Sequence, residues 1–98
     1  MTRYRVVLSR RVAKNLIEHV RFISKVNTKA SERFVREYEK VISRLGDDPY
    51  QFQVDTSFHN VDGYRRAVFA KWYKCLFIVD GSVIYVDSVV DCRRDDHI

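Results

Sequence analysis

Hydrophobic residues at the start of the chain follow two different periods. In the first segment, RYRVVL, Tyr4, Val6 and Leu8 fall on one face, and this period of two predicts a half-buried strand. Ser9 then supplies a helix N-cap, because its hydroxyl can accept a hydrogen bond from an otherwise unpaired helix amide. An amphipathic helix is predicted over residues 10–26, with an apolar stripe formed by Ala13, Leu16, Ile17, Val20 and Ile23.

A second helical repeat follows after a short link. Asn27 and Thr28 provide a turn and a second cap, and Gly46 is predicted to end the helix. Between them, apolar residues recur at helical spacing at Ala30, Phe34, Val35, Tyr38, Val41, Ile42 and Leu45. Because the link is short, we expect the two helices to form an antiparallel hairpin that packs on a sheet.

The segment QFQVDTSFHNVDG shows no clear period, and we predict a loop there. Phe52, Val54 and Phe58 are expected either to cover the core irregularly or to form a short edge strand. Asp62-Gly63, at the end of the segment, is a turn signal.

Three strand-like runs occupy residues 64–94, and Asp80-Gly81 separates two of them with residue types that tolerate a tight hairpin turn. The middle run is apolar on both faces, which predicts a central strand. Its two faces are formed by Trp72, Lys74, Leu76 and Ile78, and by Tyr73, Cys75, Phe77 and Val79. The last run divides into Ile84, Val86 and Val90 on one face and Tyr85, Asp87 and Val89 on the other. We expect the face with Tyr85 and Asp87 to meet solvent.

The elements therefore follow the order β-α-α-β-β-β. We predict an α+β fold with an N-terminal strand, an antiparallel two-helix hairpin, and a three-stranded meander that completes a twisted, mainly antiparallel sheet. The 98 residues suffice for one hydrophobic core but not for two, so residues 1–98 are expected to form a single domain. No apolar run is long enough to span a bilayer or to serve as a signal peptide, and we expect a cytoplasmic protein without a membrane partner.

Charge and cysteine content narrow the range of functions. The two cysteines, Cys75 and Cys92, have neither metal-ligand spacing nor the number needed for a disulfide framework, so no metal or other cofactor is expected. The net charge of +5 favours a polyanionic partner, either a nucleic acid or an acidic protein segment. Cations also punctuate the three C-terminal strands, which makes a basic sheet surface the candidate working site: Arg65, Arg66, Lys71, Lys74, Arg93 and Arg94.

Three segments carry a family resemblance that spans nearly the whole chain: YRVVLSRRVAKNL, RLGDDP and YRRAVFAKWYKCLFIVDGSVIYVDSVVDCRRD. The last of them contains, in order, Arg66, Tyr73, Lys74, Asp80-Gly81, Asp91 and Arg93. In these features the chain resembles the RelE/ParE superfamily, the toxins of bacterial type II toxin-antitoxin systems, also called plasmid stabilisation proteins. The resemblance implies a growth-inhibiting toxin that a cognate antitoxin neutralises by wrapping around it.

The antitoxin implied by this resemblance is an acidic segment that folds as it binds. Candidate contacts for the antitoxin or for the target are Lys14, Arg21, Arg33, Arg36, Lys40, Arg44, Lys71 and Tyr73. The alternative for the helical cations is that they are only the solvated face of each helix.

The family implies two molecular targets. A RelE-like toxin cleaves mRNA on the ribosome without a metal, which requires a base, an acid and cations that stabilise the pentavalent phosphate. By position, Arg66 and Arg93 would hold the phosphate, Lys74 and Lys71 would add positive charge, and His97 would be an acid or base unless it is simply solvated. The C-terminal catalytic tyrosine of some family nucleases has no counterpart in the ending RRDDHI.

A ParE-like toxin instead inhibits DNA gyrase by binding and breaks no bond itself. The long helical hairpin and the incomplete set of nuclease catalytic residues favour gyrase inhibition, with the RelE-like endonuclease as the alternative. A third possibility is a degenerate member that only binds an antitoxin.

Several candidate residues also have a purely structural interpretation. Trp72 is expected to pack within the sheet rather than to stack on a nucleic-acid base, because it begins an apolar run. Asp91 and Arg93 lie two residues apart on one face and are expected to form an ion pair at the end of the sheet, as an alternative to catalysis. Nothing supports a nucleophilic role for Cys92.

Overall fold

The computed structural model describes residues 3–56 and 63–93. Phe58, Asp62, Arg94 and His97 therefore lie outside the described residues, together with the predictions made for them. The elements in chain order are β1 (Arg5–Leu8), α1 (Arg10–Ser24), α2 (Thr28–Asp47), a single 3-10 turn (Pro49–Gln51), β2 (Gln53–Val54), β3 (Tyr64–Phe69), β4 (Tyr73–Asp80) and β5 (Val83–Asp91).

The five strands form one mixed sheet in the order β1-β5-β4-β3-β2. The helical hairpin carries the chain across the sheet, so β1 pairs with β5 in parallel, whereas the other neighbouring strands are antiparallel. The predicted α+β fold and the central position of β4 are confirmed. The short β2 corresponds to the edge strand considered for the irregular segment.

The hydrophobic core lies between the helical hairpin and one face of the sheet. Side chains at alternate positions of β4 point into it, and Cys75 and Phe77 are both fully buried. The helices contribute Val12, Phe34 and Leu45, each no more than 1% exposed. Burying a large apolar side chain stabilises the fold by roughly 1.5–3 kcal/mol relative to leaving it exposed, so this contact holds the helices on the sheet.

The face of α1 that packs against the core is rotated from the predicted apolar stripe. Val12 is 1% exposed, whereas Ile17 is 54% exposed and Ala13 is also on the surface. Two polar side chains, Asn15 and His19, occupy part of the packed face instead. The Val89 N–H donates to Asn15 Oδ1 at 3.0 Å, and His19 Nε2 lies 2.9 Å from the Val89 carbonyl oxygen.

These polar contacts follow from the limited length of β1. β1 pairs with β5 only as far as Val86, so the backbone of β5 beyond that residue has an open edge beside α1. The backbone groups of Val89 at this edge find partners on Asn15 and His19, because buried amides and carbonyls are costly to leave unpaired. Periodicity of apolar residues alone could not reveal a buried face of this mixed composition.

The helix ends are only partly as predicted. Asn27 Oδ1 accepts a bond from the Ala30 amide at 3.1 Å, which confirms the second cap. Ser9 precedes α1, but its hydroxyl donates to the Asp87 carbonyl rather than capping the helix. Gly46 does not end α2, which continues to Asp47. The carbonyl oxygen of the buried Gly46 accepts hydrogen bonds from the amides of Arg3 and Tyr4 at 2.9 and 3.0 Å.

In α2, Val35 was predicted to belong to the packed apolar stripe, but it is 38% exposed. In the following segment Phe52 packs against the core, whereas Val54 is 50% exposed on the edge strand.

A register shift in β5 overturns one predicted face. Phe77 pairs with Val86 and Leu76 pairs with Ser88, so Asp87 is an extra residue opposite the Leu76/Phe77 step. Such a bulge reverses the alternation of side chains beyond it. Val89, at 1% exposure, therefore shares the core face with Ile84 and Val86, whereas Val90 was predicted to lie on that face. Tyr85 is exposed as expected.

Candidate functional site

A buried charge cluster lies on the sheet face opposite the helices. Asp55 follows β2, is 1% exposed, and its Oδ2 atom lies 2.9 Å from Lys74 Nζ and 3.9 Å from Arg66 NH1. The Asp55 amide donates to the Tyr64 carbonyl at 2.8 Å, which ties the carboxylate to β3. Arg66 also donates to Gln53 Oε1 at 2.8 Å. The structure thus brings two predicted catalytic residues, Arg66 and Lys74, together around a carboxylate.

This cluster limits what its cations can do chemically. The Lys74 side chain is 9% exposed and the Asp55 side chain 0%, so the ammonium group is directed at a partner inside the protein. A buried charge is tolerated only when it is paired, and the pair also joins β2 to the central strands. Arg66, with a third of its side chain exposed, is the member of the cluster that solvent can reach.

Arg93 belongs to a different cluster, at the end of β5. Its guanidinium donates to both Asp91 oxygens at 3.1 and 3.0 Å, and its amide donates to Asp91 Oδ1 at 2.9 Å. The predicted ion pair is therefore confirmed. Hydrogen bonding to Asp91 is the main reason that the pKa of Arg93 is raised, and the nearby Tyr73 hydroxyl acts in the same direction.

A groove of about 580 Å³ opens beside Arg93, at the tip of the helical hairpin. The end of α1, the start of α2 and the β3–β4 turn form its sides. We call it the hairpin-tip groove. Its apolar walls include Phe22, Ile23, Val26, Ala30, Phe34 and Trp72. Its charged lining residues are Arg33, Lys71, Arg93 and Glu37.

A strained turn holds one side of the groove. Ala70 and Lys71 have positive φ angles of 47° and 71°, which L-residues other than Asn and Asp seldom adopt. The Trp72 amide donates to the Ala70 carbonyl at 2.8 Å, so Lys71 is the centre of a γ-turn with the strained sign of φ. Trp72 lies in this turn rather than in β4 and is 43% exposed, so the prediction that it packs within the sheet was wrong.

Aromatic rings support the floor of the groove from the core side. Tyr73 packs edge-on against Phe34 and His19, with ring centroids 4.8 and 4.9 Å away. Phe69 adds a further ring, 5.3 Å from Phe34. Such edge-on contacts add to the stability gained from burial, so the floor of the groove is part of the packed core while Phe22, Val26 and Trp72 remain exposed to solvent.

The structure divides the predicted binding residues into two groups. Arg33, Lys71 and Tyr73 line the hairpin-tip groove. The other predicted cations are exposed on the helices outside it: Lys14, Arg21, Arg36, Lys40 and Arg44. Sequence reasoning missed the exposed apolar residues Phe22 and Val26, which are 49% and 83% exposed. Phe22 and Val26 are four residues apart and do not belong to the predicted apolar stripe of α1, so their spacing was the sequence signal for a second apolar surface.

Cys75 is not a reactive site. Burial raises the pKa of the Cys75 thiol to about 12, which leaves it protonated and inert at neutral pH. No disulfide joins Cys75 to Cys92. Within residues 3–56 and 63–93, no group of three or more His, Cys, Asp or Glu side chains could hold a metal ion. In the same described part of the chain, neither helix combines the length and apolarity that crossing a bilayer requires.

Comparison with known proteins places this architecture in a known fold. The chain superposes on a chain of the chromosomal ParDE TA system from P. aeruginosa with a TM-score of 0.72 and 16% sequence identity. The match covers 91% of this chain and 96% of that chain. No family model and no curated protein matches the sequence. The structural match shows that the chain shares the fold of that ParDE chain.

Proposed function

We propose that this protein is the toxin of a type II toxin-antitoxin system and that a cognate antitoxin neutralises it. The observation that carries this proposal is the structural likeness to a ParDE system over 91% of the chain. The exposed cations of α1 and α2 support it further, because they offer an acidic antitoxin segment a surface on which to fold. Both candidate targets of such a toxin are cytoplasmic, and we propose that compartment.

For the target, we favour ParE-like inhibition of DNA gyrase. Cleavage of RNA needs cations that stabilise the pentavalent phosphate, and a cation already paired with a carboxylate supplies less of that charge. Lys74 is paired with buried Asp55, and Arg93 binds Asp91 through two hydrogen bonds. Arg66 lies 3.9 Å from the same Asp55 oxygen as Lys74. These pairings favour a toxin that acts by binding.

The RelE-like endonuclease remains the second candidate, because Arg66 and Lys74 lie side by side on one sheet face, as a phosphate site requires. A degenerate member that binds an antitoxin without being toxic is the third. Each of the three predicts a different outcome when the protein is expressed alone.

The test is brief induction of the protein without antitoxin, followed by growth measurement and primer extension on a translated reporter mRNA. The proposal predicts growth arrest without new mRNA ends, both for the natural protein and for Arg66→Ala. Circular dichroism of the purified variant checks that its fold is intact. New ends that depend on translation and disappear in Arg66→Ala would establish the endonuclease instead, and normal growth would indicate the degenerate member.

A further inference from the structure

We propose that the hairpin-tip groove is a docking site for an acidic amphipathic helix of a partner protein. Apolar side chains of that helix would enter between the end of α1 and Trp72, and its carboxylates would meet Arg33 and Lys71. The identity of the partner rests on the proposed function, because an antitoxin that neutralises the protein would supply such a helix.

The shape of the groove and its exposed apolar surface indicate a protein ligand. Its volume of about 580 Å³ has room for several side chains. Phe22, Val26 and Trp72 are 49%, 83% and 43% exposed along it. Contiguous exposed apolar surface rimmed by polar groups marks interaction sites, and tryptophan is prominent among the residues that dominate binding energy.

The charges around the groove determine which helix fits. Three cations and one carboxylate line it. Arg93 is offset by Asp91, and Glu37 faces Lys40 at 3.6 Å, whereas Arg33 and Lys71 have no ion-pair partner within the described residues. The rim is therefore net positive, and a like-charged partner would be repelled. A helix with apolar anchors at i and i+4 and carboxylates one turn away matches this arrangement.

The strained turn prepares the site for binding. Lys71 Nζ and Arg93 Cζ lie 5.4 and 5.2 Å from the centroid of the Trp72 ring, so cations hold the indole in place before a partner arrives. A side chain that is ordered in advance loses less entropy on binding. Positive φ at a non-glycine residue persists where the surrounding structure enforces it, which is common at ligand-binding sites.

The experiment uses the single tryptophan of the chain, Trp72, as its probe. Two synthetic helical peptides without aromatic residues share one leucine stripe and differ in carrying Glu or Lys beside it. Each is titrated into the full chain while Trp72 emission is recorded. We expect the Glu peptide to shift emission to shorter wavelength and to bind at least about tenfold more tightly than the Lys peptide.

Charge-reversal variants locate the contact. Arg33→Glu and Lys71→Glu should each weaken the Glu peptide by about tenfold and favour the Lys peptide. Arg5→Glu is the matched control, since Arg5 is an exposed β1 cation outside the groove and is not among the predicted antitoxin contacts, and it should bind like the natural protein. A uniform loss in all three variants would contradict the assignment.

Three further results would overturn it. They are equal binding of the two peptides, no change in Trp72 emission with either, and tighter binding of a single-stranded oligothymidylate than of the Glu peptide. The assay contains neither gyrase nor antitoxin, so a negative result removes the docking site and leaves the growth-arrest test standing. Conversely, normal growth on induction would remove the proposed toxicity while the peptide titration remains decisive for the groove.

Discussion

At the residue scale, the Lys74–Asp55 ion pair decides how one face of the sheet can be used. Its side chains are 9% and 0% exposed, and their charged atoms lie 2.9 Å apart. The desolvation of two buried charges is offset only while both partners remain. Loss of either partner removes the nearest opposite charge from the other inside the protein.

Asp55→Ala should therefore lower the free energy of unfolding by about 3–5 kcal/mol, measured by urea denaturation. The matched control is Lys40→Ala, which removes an exposed ion pair with Glu37 and should cost no more than about 1 kcal/mol. Replacing both partners with apolar residues, Asp55→Leu with Lys74→Met, should recover most of the loss. Equal small effects of Asp55→Ala and Lys40→Ala would show that the buried pair is not structural.

Two buried acids should make the protein sensitive to alkali. Burial raises the pKa of Cys75 from 9.0 to about 12, and burial together with Cys75 raises that of Tyr38 from 10.0 to about 12. Between the unfolded and folded pKa values the native state binds more protons, so stability falls as pH rises. The contribution of these groups is complete below about pH 9 and is lost progressively up to about pH 12.

Denaturant unfolding across this pH range measures the effect. Cys75→Ala should make the loss of stability shallower from about pH 9 upward, and Tyr38→Phe from about pH 10 upward. The Tyr38 hydroxyl is buried with no hydrogen-bond partner in the described structure, so Tyr38→Phe should also not destabilise the protein at neutral pH. An unchanged pH dependence in both variants would contradict the assigned burial.

The sequence predicted residue pairs only where spacing makes them local. Asp91 and Arg93 lie two apart on a strand, and their ion pair was foreseeable. Asp55 is separated from Lys74 by 19 positions and lies in a segment without periodicity, so no local pattern connects the two. The pairing of the candidate catalytic cations Arg66 and Lys74 with Asp55 therefore could not be predicted from the sequence.

At the element scale, the strained β3–β4 turn positions two groove-lining side chains, the cation of Lys71 and the indole of Trp72. Lys71 has a φ of 71°, a conformation in which glycine carries no steric penalty. Strain of this kind costs of order 1–3 kcal/mol and is offset by the surrounding structure. The turn thus links the stability of the hairpin to the docking site.

Lys71→Gly should raise the stability by about 1 kcal/mol while weakening the Glu peptide. The reciprocal variant is Gly81→Ala in the β4–β5 turn. Gly81 has a φ of 60°, and an added Cβ would meet no atom within 4 Å, so only backbone strain should appear, at a cost of about 1 kcal/mol. Thermal unfolding and the peptide titration measure the two effects. Destabilisation by Lys71→Gly would contradict the account of the turn.

Elements were predictable where a single period extends over the whole segment. Both helices, the first strand and the central strand followed from apolar spacing and turn residues. The buried face of α1 did not, because the half-buried Asn15 and His19 turn toward β5 and pair with the backbone of Val89. The β5 bulge did not either, since it depends on pairing between strands and leaves no mark in the alternation of residues.

At the scale of the whole molecule, the helices cover one face of the sheet, and the hairpin-tip groove lies where the end of α1, the start of α2, the β3–β4 turn and Arg93 meet. The order of elements and the family resemblance were enough to predict the fold. The groove was not predictable, because its walls come from α1, α2 and the β3–β4 turn. Its composition suits the proposed recognition of a protein, and the cations Arg66 and Lys74 on the sheet face opposite the helices lie beside Asp55.

The most direct test of a binding toxin is DNA supercoiling by purified gyrase in the presence of increasing amounts of this protein. If the protein inhibits gyrase by binding, supercoiling of relaxed plasmid is lost in proportion to added protein, and Arg66→Ala inhibits as well as the natural chain. Full supercoiling at saturating protein, combined with cleavage of translated mRNA by the same preparation, would contradict inhibition by binding.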